Sequence, residues 1–454
     1  MPDLVRLRTA ERLLHRLAAE QSERRLPSIV AGVVRDAQLV WHGARGLVGE
    51  TAPTTDTQYR LGSITKTLIA VCVMRLRDEG ALELSDRISQ YLPEVKAADA
   101  TIAELLSHSA GLQAETNGPW WERTAGGNWD NLAGLLDGDA RRHRPGSKFH
   151  YSNVGFAVLG QLVTALRGRP WEQVVHTELL EPLGMRRTTT RPVAPHAHGF
   201  AVHPWADVLL PEPEHDAGAM APAGQLWSTL DDLARWAAFL AGDTADLLSA
   251  DTLAEMKAPQ IVDDPRDDPW RAGVGLGLQL WNVDGRRYCG HGGSMPGFLA
   301  GVRVDVASGD AVVVLTNSTS NLTLALTVDL AEIVETEEPR LPGEWVPATV
   351  PQDVLDIVGP WYWGPAPLVL RAKPDRWVEI GPMEGAGRAS RFRPEDDGTW
   401  TGLDGYYAGE TLRVVRHTDR SVSHLDVASF CLTRTPYDPN ADVPGGVDPD
   451  GWRA

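Results

Sequence analysis

The sequence predicts an α+β protein in which an antiparallel sheet stands beside a helical region and a small all-β barrel follows at the C-terminal end. Three observations predict this. Strand-like apolar stretches lie near the start of the chain and return at 275–317, and the chain between them has helical spacing. A stretch rich in proline and acidic residues at 337–352 reads as a linker. Beyond it, short apolar runs alternate with glycine turns, as in a small barrel.

Taken in order, residues 1–25 carry leucines at helical spacing among Arg6, Arg8, Glu11, Arg12, Arg16 and Glu20, an amphipathic first helix. Residues 28–34 and 37–47 read as two strands joined by the polar pair Arg35-Asp36, a hairpin. A strongly apolar helical run begins at Ser63. Residues 101–108 form a short helix, and 113–148, with Trp120, Trp121, Trp129 and several glycines, form a long loop region of the kind that often carries function. Residues 154–166, 171–180 and 229–240 read as helices, the last after the N-cap-like Ser228. Residues 302–306 and 311–315 are strands, and 323–335 is the last helix of the domain. The chain is thus expected to hold a catalytic domain at 1–336, a linker at 337–353 and a barrel at 354–454. Strands of the barrel include 368–370, 377–380 and 412–415, and its tail from Asp438 is loose.

The 454 residues suffice for two or three domains with a large core, and 43% hydrophobic with 23% charged residues is ordinary for a globular protein. A formal net charge of −18 argues against nucleic acid and against anionic membrane as partners. Cys72, Cys289 and Cys431 are too few and too scattered for a disulfide framework or a metal-ligand cluster, which fits a reducing compartment. No signal-peptide-like apolar core and no run of about 18 uncharged apolar residues occurs, so a cytoplasmic location is expected.

Chemistry is concentrated in three places. In Tyr59-Arg-Leu-Gly-Ser-Ile-Thr-Lys-Thr-Leu-Ile-Ala70, Ser63 and Lys66 stand three apart on a helix, so the amine reaches the serine oxygen. The apolar run behind them desolvates the lysine and lowers its pKa, which makes it a base for the serine. A helix N-cap serine followed by a surface lysine would give the same spacing. In His150-Tyr-Ser-Asn-Val-Gly155, Tyr151 is placed to shuttle a proton and Asn153 to hold Lys66 or a substrate amide, unless the segment is simply a turn and cap. In Gly290-His-Gly-Gly-Ser-Met-Pro-Gly297, Gly292 and Gly293 permit close approach of a ligand and His291 offers a hydrogen-bond partner. The backbone N–H groups of Ser63 and Ser294 would together face a developing oxyanion. A glycine-driven turn is the plain alternative.

Together, in order and spacing, these motifs resemble the serine β-lactamase and penicillin-binding-protein superfamily, its class C, esterase and D-aminopeptidase-like branch in particular. Thr101-Ile-Ala-Glu-Leu-Leu-Ser-His-Ser-Ala-Gly-Leu112, Pro145-Gly-Ser-Lys-Phe-His-Tyr-Ser-Asn153, Glu181-Pro-Leu-Gly-Met185 and Gly224-Gln-Leu-Trp-Ser-Thr-Leu-Asp-Asp-Leu233 extend the resemblance over about residues 10–335. It implies a β-lactamase/transpeptidase-like fold with a lipocalin-like barrel added, Ser63 as the acylated nucleophile, Lys66 and Tyr151 managing protons, and Asn153 and His291 lining the site. His291 stands where β-lactamases usually have lysine, which weakens a β-lactamase assignment.

The resemblance leaves the acceptor open. One reading is an esterase or amidase for small esters, another a D-aminopeptidase. A third, favoured here, is a stand-alone penicillin-binding-protein-type thioesterase that releases a nonribosomal peptidyl thioester by head-to-tail closure. In that reading its substrate is a peptidyl thioester or ester, with presentation on a carrier protein left open. Trp120, Trp121 and the C-terminal module would keep water out, and Arg434 would hold a peptide carboxylate. A non-catalytic sensor on the same fold is the alternative of another class. No metal or organic cofactor is implied.

Overall fold

The computed structural model describes residues 4–96, 100–136, 138–265, 267–323 and 325–438, and divides into two units, Met1–Arg340 and Leu341–Ala454. The tail expected beyond Asp438 lies outside the described residues.

The first unit is built on eight antiparallel strands in the spatial order Gln38–Gly46, Ser28–Arg35, Ala311–Thr316, Phe298–Asp305, Arg286–Met295, Gln279–Val283, Ala272–Val274 and Ile261–Asp263. The early hairpin pairs directly with the last strand, Ile29 opposite Thr316 and Val34 opposite Ala311, which closes the sheet from both ends of the unit. The strands Ser28–Arg35 and Ala311–Thr316 are apolar on both faces because both faces are covered. Ile29, Val33, Val312 and Val314 pack under Leu13 and Leu17 of the first helix, Leu7–Glu23, and under Leu330 and Val334 of the last, Ala325–Glu337. Val30, Val34, Val313 and Leu315 face the helical region on the other side.

The expected turn Arg35-Asp36 is displaced by one residue. Arg35 stays in the ladder opposite Gln38, with its guanidinium on Asp310 at 2.8 Å, and Asp36-Ala37 make the turn at φ +51° and +59°. A two-residue turn that follows the strand twist needs positive φ at both positions.

The helix Thr65–Asp78 is buried from Thr65 to Met74 and again at Leu76, so it is a central helix of the domain. The short helix Ile102–Leu106 is opened by a capping box between Thr101 and Glu104. The 113–148 region is not one loop. It holds a helical turn at Trp121–Arg123 and a helix at Trp129–Gly134, capped by Asn128 and Asn131. Six residues are too few to show a hydrophobic period, so only the cap betrays that helix. Also absent from the sequence reading are the helix Ala250–Met256, the hairpin Phe200–Val202 with Leu209–Pro211, and the two short strands before Gly275.

In the second unit, eight strands from Gly359–Trp363 to Phe430–Thr433 pair in sequence order and close where Tyr362 meets Thr433. Trp361, Leu370, Ile380, Phe392, Trp400 and Leu425 are among the side chains of its buried core, as expected for an eight-stranded barrel. Among the described residues, no helix is long and apolar enough to cross a membrane.

Candidate active site

Ser63 sits half-buried in the tight turn Gly62–Ile64 that leads into the central helix. Two glycines press this turn onto the strand Arg286–Met295. A Cβ at Gly62, where φ is +55°, would lie 2.5 Å from the amide nitrogen of Ser294. One at Gly293 would lie 1.8 Å from the carbonyl oxygen of Leu61. No side chain fits at either place, and the Ser63 and Ser294 segments therefore run against each other.

Lys66, one turn on, is fully buried. Its Nζ donates to Ser63 Oγ at 2.8 Å, to Asn153 Oδ1 at 2.7 Å and to the carbonyl of Ala223 at 2.6 Å. Burial pushes its pKa down from 10.5 to about 7, against the charges of Glu115 and Glu122, which favour the ammonium. That displacement corresponds to a penalty of order 5 kcal/mol on the charged form. Burial thus favours the neutral amine near neutral pH, and that amine stands in hydrogen-bond contact with the serine oxygen.

Asn153, the first residue of the helix Asn153–Arg167, is held from behind. Ser152 caps that helix by accepting from the Gly155 amide at 2.9 Å, and Asn153 Nδ2 donates to Glu115 Oε1 at 2.7 Å. The other oxygen of Glu115 accepts from Trp121 Nε1. A polar chain therefore runs from Lys66 through Asn153 and Glu115 to Trp121.

The ring of Tyr151 lies 5.1 Å from Lys66 Nζ. Burial raises its phenol pKa far out of the neutral range, while hydrogen bonding with Ser63 works the other way. It is a protonated phenol at pH 7. Beneath it, the ring of His108 stacks at 4.1 Å, and His108 Nδ1 accepts from the Ser152 amide at 3.0 Å. Burial holds His108 neutral as well. His291 is buried with its ring 6.2 Å from that of Tyr151 and its Nδ1 turned to the carbonyl of Gly292. Its pKa is pushed down to about 3 by burial and by Lys66, so it brings no cation at neutral pH.

The remaining expected residues divide. Trp121 is buried and joined to Glu115, whereas Trp120 is 58% exposed, donates to Glu122 and carries Arg123 over its ring at 4.7 Å. The Trp120 ring is the platform for the Arg123 guanidinium. Gly292 and Gly293 belong to the ladder opposite Gly301 and Ala300. Gly293 faces Leu61 and so acts as a packing position where a ligand contact was expected. Arg434 is committed inside the barrel unit, donating to the carbonyls of Val358, Pro360 and Asp356 and stacking 4.0 Å over Trp361. Its guanidinium is taken up by barrel carbonyls, the partners that the expected peptide carboxylate would have to displace.

Glu115, His108 and the carbonyl of Ala223 were missed by sequence reasoning. His108 lay in a recognised motif without a role, and nothing local marks Glu115, which is 38 positions from the asparagine it holds. Among the described residues, the two groups that could share a metal ion, His196 with His198 and Glu214, and His424 with Asp426 and Cys431, contain none of these site residues.

The family model named Beta-lactamase matches residues 11–333, and a domain of unknown function (DUF7586) matches residues 350–434. Penicillin-binding protein 4 of Amycolatopsis lactamdurans is 29% identical over 377 residues, 76% of this chain and 95% of that protein. A D-stereospecific amidohydrolase from Streptomyces sp. superposes with a TM-score of 0.58 at 26% identity, covering 73% of this chain and 98% of that one. SurE superposes at 0.60 with 23% identity over 94% and 99% of the two chains, and a second SurE structure contains D-Leu.

Proposed function

Because the chain belongs to the β-lactamase family, we propose that it is a serine acyl-transfer enzyme that forms an ester at Ser63. We further propose that it releases a peptidyl thioester by attack of the substrate's own amine, closing a macrolactam at a D-residue, with hydrolysis as a side reaction. The observation that carries the acyl-transfer reading is the 2.8 Å contact between Ser63 Oγ and a lysine whose pKa burial brings to about 7.

In this mechanism the neutral Lys66 amine takes the Ser63 proton as Oγ attacks the thioester carbonyl. The amides of Ser63 and Ser294 face the oxyanion. When the tetrahedral adduct collapses, the C–S bond breaks and the departing sulfur receives a proton from Tyr151, which Lys66 resupplies. In the second half the amine attacks the ester, loses its proton to Lys66, and the proton returns to Ser63 Oγ as the C–O bond breaks. Asn153, fixed by Glu115, keeps Lys66 aimed at Ser63 in both halves.

Two findings support the choice of acyl group and acceptor. The amidohydrolase is D-stereospecific by name and a SurE structure holds D-Leu, which favours a D-residue at the ester. The carboxylates of Glu115 and Glu122 act on Lys66 electrostatically and would likewise attract a substrate ammonium to the site. A second reading, simple hydrolysis of D-peptides or esters, is favoured by the match along 98% of the amidohydrolase.

The test is to offer peptidyl thioester mimics ending in a D- or an L-residue and to identify products by mass. A cyclic product from the D-ended mimic, absent with Ser63→Ala, is expected. Linear acid alone refutes the cyclase in favour of the hydrolase, and no turnover or acyl-enzyme at all refutes both.

A further inference from the structure

We propose that His196, His198 and Glu214 form a site for a divalent transition-metal ion of the zinc class, independent of the acyl-transfer reading. The three ligand-bearing groups come from two segments that the fold fixes side by side. Residues 195–198 run along Gln58, whose amide donates to the Pro195 carbonyl at 2.9 Å and whose carbonyl accepts from Ala197 at 2.9 Å. Asn317 Nδ2 holds the His198 carbonyl, also at 2.9 Å. His196 and His198, two positions apart on this tethered stretch, bring their rings to an edge-on contact of 5.0 Å. The His196 ring packs in turn on buried Trp227 at 5.9 Å. Glu214 follows the strand Leu209–Pro211, and its segment is held to the first by the Glu212 amide donating to the Gly199 carbonyl at 3.0 Å.

One ligand atom from each side chain lies within 4.8 Å of the other two, and His198 Nδ1 stands 3.4 Å from a Glu214 oxygen. In a tetrahedral site with metal bonds of about 2.0–2.1 Å, neighbouring donors are about 3.4 Å apart. One edge of the tetrahedron is therefore already set, and side-chain rotation closes the rest. Two imidazoles and a carboxylate are a donor set that suits zinc and leaves a fourth position for water or an incoming ligand. The cluster is open to such a ligand, since His198 and Glu214 are exposed. The ion would also stiffen one side of the candidate active site. His215, next to Glu214, meets the Trp121 carbonyl at 3.0 Å, and the Gly126 amide donates to Asp216 at 2.8 Å.

The experiment uses the full chain stripped with chelator, titrated with Co²⁺ by visible absorption and with Zn²⁺ by calorimetry. The expected result is a visible spectrum of four- or five-coordinate cobalt, displaced by zinc. His198→Ala and Glu214→Ala should each weaken binding at least about tenfold, the loss that removing even an outer partner can bring. Both side chains are exposed, so these variants keep the fold. His424→Ala, in the barrel's own group of potential ligands, should leave this binding unchanged. Failure to bind cobalt or zinc, binding that survives His198→Ala and Glu214→Ala, or binding lost only in His424→Ala overturns the proposal, the first outcome reducing His198 and Glu214 to a surface ion pair.

Discussion

Replacing Glu115 with Gln should move the pH at which Ser63 becomes reactive, and the direction follows from charge. With Lys66 at about 7, the reactive amine is half the population at pH 7 and about 1% at pH 5, so acylation should fall about fiftyfold between them. A lysine left at 10.5 would be about 0.03% amine at pH 7, and the rate would climb through pH 9. Glu115 favours the ammonium, so removing its charge lowers the Lys66 pKa further and carries the acid limb below pH 7. The Gln side chain retains one accepting oxygen of the two that Asn153 and Trp121 use, at a cost of about 1 kcal/mol in stability. Trp121→Phe removes the same bond without the charge and serves as the control. The assay is the second-order rate of labelling by a fluorophosphonate across the pH range, with the adduct located at Ser63 by mass. His291, at about 3, should add no inflection near neutrality. A wild-type midpoint above pH 8, or an upward shift in Glu115→Gln, would refute the reasoning.

Three other outcomes are expected. The buried lysine couples stability to pH: the unfolded chain binds the extra proton between about 7 and 10.5, so wild-type stability relative to Lys66→Met should rise over that window, by an amount of order 5 kcal/mol. Parallel denaturant titrations at the two ends measure it, and a flat difference contradicts the assignment. Gly293→Ala puts a methyl group against the backbone oxygen of Leu61, which cannot swing aside; about 1–3 kcal/mol of stability should be lost. The displaced nucleophile should lose about a hundredfold in kcat/KM for a chromogenic ester. Arg434→Ala should cost about 2 kcal/mol through its lost bonds to barrel carbonyls, seen as a lower thermal midpoint, with ester hydrolysis unchanged; a selective loss of hydrolysis would return Arg434 to the site.

What the sequence determined by itself is what depends on near neighbours. Ser63 and Lys66 meet because residues three apart share a helix face, and the lysine is desolvated because the run from Leu68 to Met74 is apolar. Short apolar runs bounded by turn residues were likewise enough to indicate a sheet and a barrel, though not the short strands before Gly275. Tertiary structure decided everything that depends on distant segments or on backbone atoms. Glu115 becomes the anchor of Asn153, His108 the floor under Tyr151, and a carbonyl from Ala223 the third acceptor of Lys66. His196 and His198 likewise meet Glu214 only because a hairpin folds back. Backbone groups carry no side-chain signature, and a contact across tens of residues has no period to read. Lys66 shows the division: its place beside Ser63 was written locally, while its pKa near 7 balances complete burial against two carboxylates that only the fold brings near.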